Sequence, residues 1–188
     1  MSTNSRDEGQ PPDESQVARE RNLLSEWYIR ADNTEFAHDV AASHYFRRHY
    51  WFGVPTVVLS AIVGTSIFST LGQAQVSALW QVLIGLLSVS AAVLAALQTF
   101  LGYSDRAAKH SRAAHEFAAI RREIQQLETR GINSSVEDEL THIREQITMA
   151  GENAPNIPNF ARKEAEKREY RSRELLLDRL PFNFTDNA

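Results

Sequence analysis

The run Leu79–Leu101, LWQVLIGLLSVSAAVLAALQTFL, decides the fold, together with its companion Phe52–Leu71, FGVPTVVLSAIVGTSIFSTL. Charged residues make up 23% of the 188-residue chain, yet none of Asp, Glu, Lys or Arg occurs from His49 to Ser104. At ~1.5 Å per helical residue each run reaches ~30 Å, the thickness of a bilayer's hydrocarbon core. A hairpin buried in a soluble bundle would normally carry charge on one face, and neither run does. Two transmembrane helices, 52–71 and 79–101, are therefore expected.

The connection Gly72–Ala78 is short and holds no basic residue, so the spans are antiparallel neighbours. Arg47 and Arg48 precede the first span, and Arg106, Lys109 and Arg112 follow the second. The positive-inside rule then puts both termini in the cytoplasm. Trp51, Trp80 and Tyr103 fall at the water boundaries, where an amphipathic ring keeps its polar group wet. Pro55 reads as the start of the first span's helix, where its missing N–H costs no hydrogen bond. The first residues are polar, and no cleaved leader is expected.

Working outward, residues 1–14 read as a disordered tail and 15–51 as N-terminal cytoplasmic helices. Asp32, Asn33 or Thr34 offers an N-cap for a second helix there, with Phe36 and Val40 on its apolar side. Residues 102–130 form a cytoplasmic helix continuing the second span, since no Gly or Pro lies between Tyr103 and Arg130. Ala113, Phe117, Ile120, Ile124 and Leu127 make a seam with alternating spacings of four and three. That rhythm suits packing along a partner helix, as in a coiled coil, and the N-terminal helices of the same chain are the favoured partner over a second subunit.

Residues 131–188 hold further cytoplasmic helices: Gly131 is a stop, and Ser134 or Ser135 with Glu137 or Asp138 forms a capping box. Val136, Leu140, Ile143 and Ile147 then line one face, and Gly151, Pro155 and Pro158 end that helix. A last helix, about Asn159–Leu177, mixes acids and bases, with Glu164–Arg168 and Glu169–Arg173 at i,i+4 spacing on a face expected to be solvated.

The chemistry of common enzyme sites is missing. Zero cysteines exclude a thiolate metal cluster and thiol catalysis. His38, His44, His49, His110, His115 and His142 never stand three or four residues apart, the spacing a helical metal site needs. His115-Glu116 begins like a zinc-hydrolase motif but Ile120 sits where the second histidine belongs. Gly64 and Gly85 are isolated in apolar helices, so no phosphate-binding glycine loop exists. A net charge of −4 gives no cationic field for nucleic acid. Neither an enzyme nor a cofactor is expected. His44 and His49 are placed to titrate near the inner boundary, though an ordinary interfacial role is the plainer account.

What remains is polarity within the spans. At 100° per residue, Gln81, Gly85, Ser88, Ala92 and Thr99 fall within about 40° of one meridian, opposite Leu83, Leu86, Val93, Leu97 and Leu101. The first span carries a weaker stripe of Gly53, Thr56, Ser60 and Gly64, with Val58, Ile62 and Phe68 turned away. Ser90, Gln98 and Thr65 fall off these stripes, where a hydroxyl can bond back to its own helix. Such faces either let backbones approach closely or line a wetted path. Both uses need a neighbour, and a single hairpin cannot enclose a pore, so a homo-oligomer in lipid is expected.

Two segments carry a family likeness: Arg47–Phe68, RRHYWFGVPTVVLSAIVGTSIF, and Leu87–Leu127, LSVSAAVLAALQTFLGYSDRAAKHSRAAHEFAAIRREIQQL. Together they resemble the SLATT family over roughly Val17 to Gln146. The resemblance implies a bacterial two-transmembrane effector domain of the inner membrane that forms pores to kill or arrest an infected cell. It also implies partners in separate chains, a nucleotide-second-messenger synthase or a SLOG sensor, and no catalytic residues. The expectation is an all-α membrane protein, a two-transmembrane hairpin with N- and C-terminal cytoplasmic helices, acting as a pore-forming effector. The alternatives are a membrane-anchored helical scaffold that binds a cytoplasmic partner, and a soluble helical sensor.

Overall fold

The computed structural model describes residues 14–70, 77–130 and 136–179. Five α-helices follow one another: α1 (Glu14–Thr70), α2 (Ala78–Leu101), α3 (Tyr103–Arg130), α4 (Val136–Asn153) and α5 (Asn159–Arg179). Among the described residues there is no strand, so the chain is all-α. Residues 1–13, most of the connection between the spans, the Gly131 stop and the Ser134/Ser135 capping box lie outside the described residues.

α1 is one helix of 57 residues, which corrects two expectations. No second helix starts at Asp32–Thr34, and Pro55 sits well inside the helix rather than at its start. The reason is phase. Leu24, Tyr28, Ala31, Glu35, His38, Ala42, Tyr45, His49, Phe52, Thr56, Leu59 and Val63 are all buried or half-buried, and their spacing alternates four and three without a slip. A seam that never changes phase gives the helix no cause to break. The capping-type side chains are spent otherwise: Asp32 and Asn33 reach other helices, and Thr34 Oγ1 donates to its own helix at Arg30 O, 2.8 Å away. Pro55 removes only the donor for Trp51 O, one bond in a long helix.

α2 begins at an N-cap, Ser77, whose Oγ accepts from Trp80 N, and ends at Gly102 in the left-handed conformation, φ 54°. The following helix is therefore not a straight continuation of the second span. Ile84, Leu87, Ala91, Leu94 and Gln98 form the inward side of α2, whereas Tyr103, Ala107, His110, Ala114 and Phe117 are buried along α3. Carried on without interruption, the α2 rhythm would turn Asp105, Arg112 and His115 inward. The single αL residue rotates the chain so that Tyr103 and Ala107 take those places, and glycine adopts that φ without a Cβ penalty.

The chain divides into two compact units, one from Met1–Asp39 with Arg112–Ala188, the other Val40–Ser111. The first has a core of Leu24 and Ala31 from α1, Phe117, Ile120, Ile124 and Leu127 from α3, and Ile143 and Ala150 from α4, with Trp27, Tyr28, Leu140 and Ile147 packed around it. Leu24 and Ile124 are 0% exposed, each burial stabilising by about 1.5–3 kcal/mol. Glu137, Asp138 and Glu139 lie in the first turn of α4, where their charge complements the helix dipole. α4 ends at Asn153 ahead of Pro155, and Pro158 O accepts from Ala161 N and Arg162 N to start α5.

The second unit is the hairpin of the two apolar helices. Each is long and apolar enough to cross a membrane, and most of their large side chains are exposed, among them Val57, Leu86, Val89 and Phe100. A soluble hairpin would not leave such a surface wet.

Candidate functional site

The site to be judged is the outer surface of the hairpin. α2 has three faces about 100° or more apart. Ile84, Leu87, Ala91, Leu94 and Gln98 are the half-buried or buried side within the hairpin. Leu83, Leu86, Val93 and Leu97 form an exposed apolar side. Gln81, Gly85, Ser88, Ala92 and Thr99 form the third, and all five are exposed in the single chain. The stripe is thus separate both from the leucines and from the intrachain packing surface.

Gly85 has open space around it: a Cβ built there meets nothing within 4 Å among the described residues, and the same holds for Gly64. Thr99 Oγ1 bonds back to Ala95 O at 3.1 Å, and Ser90 and Thr65 do likewise to Leu86 O and Ala61 O, each at 2.8 Å. The stripe of the first span is less exposed than that of the second. Gly53 and Thr56 are half-buried, Gly64 is half-buried and Ser60 exposed. A Cβ on Gly53 would lie 3.0 Å from Gln98 Nε2, so this glycine serves the contact with α2.

Gln98, off the stripe in sequence, is a polar group inside the hairpin: its Nε2 lies 3.5 Å from His49 Nδ1. Beside the pair runs a groove of about 360 Å³ lined by Tyr50, Val54, Val57 and Val58. At the boundary positions Trp51 and Trp80 are exposed, but Tyr103 is buried. Its ring stacks with Tyr45 and Phe52 at about 6 Å, Arg48 Cζ stands 5.9 Å above it, and Tyr45 stacks in turn on buried His110. Burial pushes the His110 pKa down, because a charged imidazole loses its hydration there. His44 is lowered by burial, then by the charges of Arg48 and Arg47. Arg47 and Arg106 are exposed, and Lys109 pairs with Asp105 at 2.8 Å.

The α3 seam lies wholly inside its own unit: Ala113, Phe117, Ile120, Ile124 and Leu127 are all buried, most of them against α1 and α4. The residues that sequence reasoning missed are charged ones next to that seam. Arg121 Nε donates to Glu35 Oε2 at 2.7 Å and stands 3.7 Å from Asp32, while Arg168 of α5 reaches Asp32 at 3.1 Å. Hydrogen bonds that Arg121 donates to Glu35 and Tyr28 raise its pKa above the ordinary value. The α5 face expected to be solvated is therefore partly docked, with Arg168 Cζ 4.6 Å above the Phe36 ring and Glu169 accepting from Asn33. Lys167 pairs with Glu164 at i,i+3, while the Arg173 side chain lies outside the described residues. Position 121 follows a seam residue directly, and a charge flanking a core seam was the available signal.

Among the described residues no group of three His, Asp or Glu is placed to hold a metal. The chain matches none of the curated proteins and none of the solved structures compared with it. Residues 21–154, which take in both spans, α3 and α4, match a family of effector domains and not a known enzyme family. An all-helical chain with two apolar spans, matched over most of its length, belongs to the SMODS and SLOG-associating 2TM effector domain family 4, and is a membrane effector of conflict systems.

Proposed function

We propose that copies of this chain assemble in the bacterial inner membrane and, when triggered during phage infection, open a path that dissipates ion gradients. The exposed stripe carries the reading. A glycine inside a helix costs about 1 kcal/mol relative to alanine, and nothing among the described residues approaches Gly85 to account for it. Gly85, Ser88 and Ala92 share that surface with Gln81 and Thr99, a slender, hydrogen-bonding face suited to a neighbouring copy or to water between copies. The leucine side is left for lipid.

Arg47, Arg48, Arg106, Lys109 and Arg112 on one side of the hairpin favour cytoplasmic termini. The trigger in this reading is a separate chain, a nucleotide-second-messenger synthase or a SLOG sensor, in keeping with the associations that the family description names. Neither an enzymatic step nor nucleic acid takes part.

Dye-loaded liposomes carrying the purified protein test this. Triggered wild type leaks, and Gly85→Leu and Ser88→Leu lose most of the leakage. No leakage under any triggering condition removes the pore. An adaptor role draws its support from the separate core around Ile124. Replacing both spans with an unrelated hairpin separates the two, since an adaptor keeps its biological effect and a pore loses it.

A further inference from the structure

We propose that α5 is a releasable clasp, docked on α1 through one acid that two arginines share, and that its undocking frees the Asp32–Phe36 turn of α1 while α3 stays packed. The family match ends at residue 154, before α5 begins at Asn159, so α5 lies outside the matched stretch. Over residues 159–170, the part of α5 whose side chains are described, the apolar hold is slight: Ala161 and Ala165 are buried, Phe160 is partly exposed, and charged residues outnumber the others along the helix. Two alanine methyls bury little area, so polar contacts set where that stretch of α5 sits.

Those contacts converge on one turn of α1. Asp32 Oδ2 meets Arg168 at 3.1 Å while its Oδ1 faces Arg121 of α3 at 3.7 Å, and Arg168 also covers Phe36. Asn33 Nδ2 donates to Glu169 Oε2 at 3.1 Å. The two arginines are not held equally. Arg121 has Glu35 as well, at 2.7 Å, whereas Asp32 is the acid that Arg168 reaches. Removing the Asp32 charge leaves Arg121 anchored and sets Arg168 against a like charge, so α5 is the element that departs. Side chains 28% and 41% exposed at Asp32 and Arg168 leave the pair open to screening by salt. The consequence for activity rests on the pore reading, with the docked clasp as the resting state.

Hydrogen exchange read by mass spectrometry on the full chain in nanodiscs tests the clasp, using wild type, Asp32→Asn and Arg168→Met. Expected is exchange at least tenfold faster in α5 for both variants, and for wild type in molar salt, with residues 113–127 unchanged. Unchanged α5 exchange overturns the proposal, as does an equal rise in residues 113–127, which would make α5 part of the core. In liposomes Asp32→Asn is expected to leak at a lower trigger dose. Leakage equal to wild type, with α5 released, overturns the clasp's role. Loss of leakage in every protein including wild type, with α5 released, removes the pore and upholds the clasp as a docking device.

Discussion

Gln98 and His49 meet inside the hairpin, Nε2 to Nδ1 at 3.5 Å, where Gly53 leaves room for the amide. A polar pair half-buried between two apolar helices fixes their register, because each group loses its partner if the helices slide.

That contact sets a graded test at Gly53. A methyl there would sit 3.0 Å from the flexible end of Gln98, which can shift, so Gly53→Ala should change thermal stability by no more than about 1 kcal/mol. Gly53→Leu cannot be accommodated so, and should lower the melting temperature in detergent, as followed by circular dichroism, well beyond Gln98→Ala.

Gly102 is a purely conformational case. Among the described residues nothing beyond its own chain neighbours lies within 4 Å of an added Cβ, but φ is 54°. Gly102→Ala should therefore cost about 1–2 kcal/mol from backbone strain alone, and Gly102→Asn less, because asparagine tolerates the left-handed region. Denaturant titration of the three proteins reads the order directly.

At Ile124, 0% exposed at the centre of the α1, α3 and α4 core, truncation leaves a cavity. Ile124→Ala should destabilise that unit by about 2–5 kcal/mol and Ile124→Val by about 0.5–1.5 kcal/mol. The measurement is chemical denaturation of the purified protein.

Burial lowers the His110 pKa, so the unfolded chain takes up its proton first as pH falls. Stability from this group is fully present above the unfolded value of about 6.5 and is lost as pH drops below it toward the folded pKa. Melting temperature should fall between pH 7.5 and 5.5, and His110→Phe should flatten that slope, leaving the share from His44.

Much of this was written in the sequence, and the exceptions have physical causes. The spans are legible because hydrocarbon tolerates no unpaired charge, and 49–104 contains none. The α3 seam is legible because four and three spacing survives any partner. Asp32–Thr34 misled because the side chains that cap helices also make lateral bonds, and only the unbroken seam from Leu24 to Val63 tells the two apart. Tyr103 moved from the boundary into a ring stack because Gly102 rotates everything after it. The docking of Arg168 on Asp32 joins residues far apart in the chain, which no local pattern encodes.

The central claim is that the Gly85–Ser88–Ala92 face of α2 meets another copy. The chain has no cysteine, so single cysteines report without background. In native membranes under mild oxidation, Ser88→Cys and Ala92→Cys should form disulfide dimers, while Leu86→Cys and Val93→Cys on the leucine side should stay monomeric. Cross-linking through Leu86 and Val93 with none through Ser88 and Ala92 would contradict the account.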